Sequence, residues 1–302
     1  MTREELNKEI HKELFKEEKQ EKIKGLIKII IKTILFLIIF FTVFFLYTTY
    51  ISTVKISVRE YRIKNNNIPN SLNGLKIIQF SDLHYGTTMF LKNVKEVKKI
   101  INKRKPDIVV FTGDLIDKNY KLSSKEQEKL INELNEIEVN LGKYAILGDE
   151  DNEKISTIFN QSNFIVLRNE YDLIYKDDNN PILLVGISSK EKDFEKAYSY
   201  FKEENHKSDI YTITLIHEPD TVEDISGTYN SNLYLAGHSH NGEIRIPFIK
   251  YPIIQFKGSK KYNQDYYKIN NSKLYITSGL GSKSGIRLFC RPSINFYRLS
   301  NN

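Results

Sequence analysis

Five short apolar runs in this chain of 302 residues each stop on an aspartate or a histidine. Lys76-Ile-Ile-Gln-Phe80 leads into Ser81-Asp82-Leu83-His84, Asp107-Ile-Val-Val-Phe-Thr112 into Gly113-Asp114-Leu-Ile-Asp117, and Lys143-Tyr-Ala-Ile-Leu147 into Gly148-Asp149-Glu150-Asp151. Ile210-Tyr-Thr-Ile-Thr-Leu-Ile216 ends on His217, and Asn232-Leu-Tyr-Leu-Ala236 on Gly237-His238-Ser-His240. Carboxylate oxygens and neutral imidazole nitrogens are the donors that first-row divalent ions accept. One Asp or His after one strand is ordinarily a turn or cap residue. Ligands of open α/β sheets, however, sit outside the carboxyl ends of the strands, so five such ends describe the rim of a metal site.

The succession Asp-x-His, Gly-Asp-x-x-Asp, Gly-Asp-Glu-Asp, a lone His and Gly-His-x-His resembles the calcineurin-like metallophosphoesterases over residues 54–299. Within that family it is similar to a membrane-associated bacterial branch, the UDP-2,3-diacylglucosamine pyrophosphatase-like enzymes. The narrower likeness rests on His217-Glu-Pro-Asp220, on His238-Ser-His-Asn-Gly-Glu-Ile-Arg-Ile-Pro247, and on Ser278-Gly-Leu-Gly281 leading to Arg287-Leu-Phe-Cys-Arg-Pro292. The resemblance implies an α/β fold, a layered mixed β-sandwich flanked by helices. It also implies two metal ions drawn from manganese, iron or zinc, one on Asp82, His84 and His240, the other on Asp149, His217 and His238, with Asp114 shared. Asp117 would hydrogen-bond a ligand or the backbone. Such a pair lowers the pKa of water and clamps phosphoryl oxygens for in-line attack on a phosphoester or pyrophosphate.

The chain departs from the family at Asp149-Glu150, where Asn-His is usual. Asp149 adds a negative charge beside the ions, leaving three carboxylates against two divalent cations; an iron-containing pair with one trivalent ion restores the balance. Glu150 replaces the histidine associated with leaving-group protonation. A carboxyl group can take that role only with a raised pKa. Glu150→His is therefore expected to keep or raise turnover, and Asp114→Asn to abolish it. Two other functions remain open, a phosphodiesterase acting on soluble nucleotides and a metal-binding sensor with weakened catalysis.

The elements around these residues follow from composition. Residues 1–24 carry Glu9, Glu13 and Glu17 and Lys8, Lys12 and Lys16 at helical spacing, a solvated helix or disorder in which His11 is a surface side chain. Residues 26–50 turn apolar, and 33–47 hold no charge. With Lys28 and Lys32 snorkelling, this reaches the roughly 20 residues a transmembrane helix needs. Lysines before the span slightly outweigh Lys55, Arg59, Arg62 and Lys64 after it, so the N-terminus is expected in the cytoplasm. The near relatives include exported enzymes, which places the domain of residues 54–302 outside the cytoplasm. A strand is expected over 54–63, a loop over 65–73, and helices over 91–104, 123–138, 151–161 and 189–204. The net charge of +7 is spread among 38 acids rather than gathered into a basic stripe, which points to a membrane surface and not to nucleic acid. No feature implies a protein partner. The single Cys290 excludes an internal disulfide and reads as packing in a late strand. His206 reads as surface, and Gly279, Gly281 and Gly285 as a turn near the site, without dinucleotide spacing.

Overall fold

The computed structural model describes residues 2–177, 180–203, 209–249 and 251–301. The chain divides into two compact units, Met1–Thr48 and Thr49–Asn302. The first is a single helix, α1 (Arg3–Leu46), in which the charged and apolar segments run on without a break. Pairs such as Lys22 with Glu18, at 2.7 Å and one turn apart, support its polar half. In the apolar half the Thr33 and Thr42 hydroxyls donate to the carbonyls of Ile29 and Ile38, so the helix satisfies them itself. Among the described residues one helical stretch, Leu6–Ile51, is long and apolar enough to cross a membrane.

The second unit is built on two six-stranded sheets. The strands are β1 (Ser57–Lys64), β2 (Lys76–Phe80), β3 (Ile108–Thr112), β4 (Gly142–Ile146), β5 (Ile165–Val166), β6 (Glu170–Ile174), β7 (Ile182–Gly186), β8 (Thr212–Leu215), β9 (Leu233–Ala236), β10 (Tyr266–Ile269), β11 (Ser272–Ile276) and β12 (Ser293–Ser300). One sheet has the order β1-β12-β2-β3-β4-β5 and the other β10-β11-β9-β8-β7-β6. Strands β2 to β5 are parallel, as are β7, β8, β9 and β11, while β12 runs antiparallel to β2. Each set of parallel strands therefore delivers its carboxyl ends to one rim.

Alternation along the strands sorts side chains into layers. Ile77, Ile108, Val110 and Ile146 meet Leu184, Ile213, Leu215 and Leu235 between the sheets. Their neighbours Ile78, Val109, Phe111 and Ala145 face the other way, onto α2 (Leu91–Asn102), α3 (Ser124–Asn135) and α4 (Glu153–Gln161). The second sheet's outer face is covered by Tyr198 and by the short helices α5 (Phe194–Ala197) and α6 (Val222–Ile225). Burial on both faces is why these strands read as unbroken apolar runs. The expected layered α/β sandwich is the one observed. A buried polar chain fixes the sheets against each other: Gln79 donates to Thr112 Oγ1 and to the Ala236 carbonyl, both at 3.0 Å, and accepts from the Tyr297 hydroxyl at 2.7 Å.

Three local expectations need correction. Over its described residues, 189–203, the helix expected over 189–204 shrinks to α5 and a following 3-10 turn, because Glu191 takes a left-handed backbone (φ 54°) and the helix starts only after Asp193 caps it at Lys196 N. The strand expected from Val54 starts at Ser57, since Val54 closes a turn with its N–H on the Ile51 carbonyl. Cys290 is buried, but it lies in the loop before β12 with its Sγ 3.3 Å from the His240 carbonyl. His206 lies outside the described residues.

Phe111 ties the first sheet to its helices, with its ring 5.0 Å from Phe80 and 5.1 Å from Phe159 on α4. Phe111→Ala is expected to destabilise the fold by about 3–5 kcal/mol, read as a lower urea midpoint with an unchanged slope.

Candidate metal centre

The residues singled out by the five strand ends meet at one rim. Asp82 and His84 follow β2, Asp114 follows β3, Asp149 follows β4, His217 follows β8, and His238 and His240 follow β9. The two sheets are joined here, because His217 Nδ1 donates to the Thr112 carbonyl at 2.7 Å and the His238 N–H reaches both oxygens of Asp82 at 3.0 and 3.1 Å. Five of these seven residues, Asp82, His84, Asp114, His238 and His240, have positive φ. A side chain in that region costs of order 1 kcal/mol, and such strain gathers where a site needs unusual directions. Gly113 (φ 98°) also has a steric reason to be glycine, since a Cβ there would overlap the His217 ring nitrogen.

Two groups of donors result. Asp82, His84 and His240 form one, and Asp114, Asp149, His217 and His238 the other, with the donor atoms of each group within 4.8 Å of one another. Asp114 Oδ2 lies 3.4 Å from His217 Nε2 and 3.6 Å from His84 Nε2, so it stands between the groups. All are buried except Asp149, whose side chain is 41% exposed and whose Oδ1 is 3.1 Å from both His217 Nε2 and His238 Nδ1.

The ring orientations are set from behind. His217 Nδ1 is on the Thr112 carbonyl, His238 Nε2 on the Lys257 carbonyl at 2.6 Å, and His240 Nδ1 on Glu243 Oε1 at 3.0 Å. The opposite nitrogens are thereby turned inward, the arrangement by which outer partners fix the tautomer of a metal-binding imidazole. His84 Nε2 and His240 Nε2 then face each other at 3.1 Å, as do His217 Nε2 and His238 Nδ1. Nitrogens so directed are bridged by a proton or by a metal ion. Asp114 Oδ2 is buried without a hydrogen-bond partner, as a ligand oxygen would be. The donor set fits two divalent ions.

The electrostatics agree in sign. Burial raises the carboxyl pKa values, but the surrounding imidazoles outweigh it, taking Asp114 down to about 2 and Asp82 and Asp149 below the usual carboxylate range. Burial lowers His217 and His240, yet Asp114 and Asp149 for the first, and Asp82 and Glu243 for the second, hold both above the ordinary histidine value.

The sequence matches the model of the calcineurin-like phosphoesterases over residues 75–242. The chain belongs to that family. It is 31% identical over 264 residues to the metallophosphoesterase YkuE of Bacillus subtilis, covering 84% of this chain and 89% of that protein. It is 28% identical over 285 residues to the UDP-2,3-diacylglucosamine pyrophosphatase LpxG of Chlamydia muridarum, covering 75% and 84%. It is 25% identical over 228 residues to the phosphodiesterase YaeI of Escherichia coli, covering 74% and 82%. This calcineurin-like phosphoesterase is accordingly a metal-dependent phosphoric ester hydrolase.

Four residues at the phosphoesterase site escaped the sequence reading of roles. Lys283 Nζ lies 3.0 Å from Glu150 Oε1 and 3.6 Å from Asp114 Oδ2, in the segment read only as a turn. Glu243 holds that segment in place, accepting from the N–H groups of Lys283 at 2.6 Å and Ser284 at 2.9 Å while also facing His240. Arg287, fully buried, donates to the carbonyls of Ser278 and Gly281 at 2.7 and 2.5 Å. Asp151 accepts from the N–H groups of Asp114, Leu115 and Gly148 at 2.8, 3.0 and 2.8 Å, locking two ligand loops together. Glu150 Oε2 is 3.4 Å from His84 Nδ1. Burial raises the Glu150 pKa, but His84 and Lys283 bring it down to about 2, the reverse of what proton donation requires. Asp117 accepts from Asn119 N–H at 2.9 Å, and one of its carboxylate oxygens lies near a ring nitrogen of His84 and a carboxylate oxygen of Glu150.

Because His217 and His240 hold their protons to higher pH than free histidine, an incoming ion must displace them. Metal affinity is thus expected to rise with pH above the ordinary histidine value, and manganese titration in buffers of different ionisation enthalpy to show proton release; release-free binding would contradict the ligand assignment.

Proposed function

We propose that the chain is a membrane-anchored phosphoesterase that holds two metal ions and cleaves a phosphoester or pyrophosphate bond of a lipid-linked, cell-envelope substrate. The observation that carries the metal assignment is Asp114, buried and without a hydrogen bond at Oδ2 between the two donor groups. Asp82, His84 and His240 would hold one ion, Asp149, His217 and His238 the other, and Asp114 both. Bound there, the ions supply an activated water and draw charge from the phosphoryl oxygens. The excess of carboxylate favours an iron-containing pair.

The chain's own residues complete the site. Lys283 presents a cation beside Asp114, where an anionic phosphoryl group would dock, and acts by electrostatic stabilisation. Its ammonium is held charged by Asp114 and Glu150 against the opposing effect of burial. Glu150 is ionised and serves as the positioning residue for Lys283. On this basis Glu150→His loses turnover, a direction opposite to the one the sequence alone suggested. The anchor is α1, with its N-terminus in the cytoplasm and the catalytic unit outside. The slight lysine excess before the span supports this placement, and the pyrophosphatase LpxG among the relatives supports the lipid-linked substrate.

The test compares the full chain in detergent, loaded with manganese, iron or zinc, on UDP-2,3-diacylglucosamine, on soluble cyclic and dinucleotide phosphodiesters, and on bis(p-nitrophenyl) phosphate. Preference for the lipid-linked substrate is expected. Lys283→Met should lower kcat/KM by about 10²-fold, mostly through kcat, with metal content unchanged. Preference for a nucleotide would refute the lipid assignment, and metal binding without turnover on any of them would refute the enzyme reading.

A further inference from the structure

Six of the thirteen exposed large apolar side chains described in the Thr49–Asn302 unit fall in one loop and the residue Phe289 paired to it, while Phe90, Ile165, Tyr175 and Tyr266 lie elsewhere. Ile246, Phe248, Ile249, Tyr251 and Ile253 are all exposed within one short loop, and Phe248 is fully so. Phe289, 69% exposed, joins them through backbone pairing, since Arg245 N–H donates to the Leu288 carbonyl at 2.9 Å and Leu288 N–H to the Glu243 carbonyl at 3.0 Å. Both phenylalanines have left-handed backbones, φ 71° for Phe248 and 51° for Phe289. Strained backbone that projects apolar rings into water needs something to cover them.

The loop is rooted in the metal centre. Ile253 N–H donates to the Ile244 carbonyl at 3.0 Å, the Phe256 ring lies 5.4 Å from the His240 ring, and the Lys257 carbonyl holds His238 Nε2. The path of the chain adds a second, independent constraint. Ser57, the first residue of β1, donates to the Pro292 carbonyl at 2.8 Å, only three positions from Phe289, and β1 pairs with β12 from Ser57 opposite Ser293. Since β12 is antiparallel to β2, with Asn295 opposite Gln79, the start of β12 is level with the end of β2 that delivers Asp82. The chain thus enters the unit at the rim that carries the site and the apolar loop. Residues 52–56 separate the candidate span from β1 and can reach no more than about 20 Å.

We propose that the exposed side chains of Ile246, Phe248, Ile249, Tyr251 and Ile253, with Phe289, insert into the interfacial layer of the bilayer that holds α1, so that the metal centre faces the membrane and works at head-group depth. Lys257 and Lys260, which follow the loop in the chain, suit an anionic leaflet. This proposal rests on the membrane-anchored reading given above and adds to it the face that meets the lipid.

The test uses the full chain reconstituted in vesicles of phosphatidylcholine and phosphatidylglycerol, with the buried Cys290 replaced by serine and a nitroxide attached at Phe248→Cys or, as control, at Lys154→Cys on α4. The label at position 248 is expected to relax more with oxygen than with a water-soluble nickel chelate, and the control the reverse. A water-exposed label at 248, or dipolar broadening from a second copy, overturns the proposal. Alkaline carbonate separates the two ideas. A chain stripped from the vesicles refutes the α1 anchor and the proposal with it, whereas a retained chain with an aqueous 248 label refutes the insertion alone. The double variant Phe248→Asp with Ile249→Asp should lower turnover of vesicle-embedded UDP-2,3-diacylglucosamine about tenfold while leaving bis(p-nitrophenyl) phosphate within about twofold. Equal effects on the two substrates also overturn the proposal.

Discussion

Asp82 and Asp114 stand out of water beside four imidazoles whose inward nitrogens face one another at 3.1 Å, an arrangement that repels itself unless positive charge sits at its centre. Buried carboxylates and opposed lone pairs are costly alone and favourable around a cation. Much of the surrounding structure exists to hold that arrangement. Parallel strands bring their carboxyl ends to a common rim, left-handed backbones turn five of the seven donors inward, and Gly113 makes room where His217 comes close. Gln79 and its partners keep one sheet from sliding on the other, which would part Asp82 from His238.

The same constraint explains the outer layer of polar contacts. Each imidazole that is turned inward by a carbonyl or carboxylate has lost the freedom to flip, so the nitrogen it offers to the centre is already chosen. Glu243 does this for His240 and at the same time fixes the loop that carries Lys283. A single buried carboxylate therefore couples the geometry of the candidate metal ligands to that of the Lys283 ammonium beside them. Asp151 plays the corresponding part between the loops of Asp114 and Gly148.

The strand-end donors were legible in the sequence because each closes an apolar run, and runs buried on both faces are the strongest local signal a sheet leaves. The sandwich followed from the same alternation of strands and helices. Lys283 and Arg287 were not legible in their roles: they lie in irregular chain between β11 and β12, where no periodicity exists and position is set by long-range bonds to Glu243, Ser278 and Gly281. The helix expected over 189–204 failed for a related reason, since Glu191 adopts a backbone that composition does not reveal. Glu150 was noticed for its departure from the family, but the effect of that departure depends on Lys283, more than a hundred positions away in the chain.

The most direct test is metal-edge X-ray absorption on the purified full chain, with elemental analysis of the same sample. Two ions per chain, about 3.5–4 Å apart and ligated by nitrogen and oxygen alone, are expected, with the metal–metal scattering lost in Asp114→Asn. A single ion, or two ions whose separation survives that substitution, would contradict the shared role of Asp114 and the centre built around it.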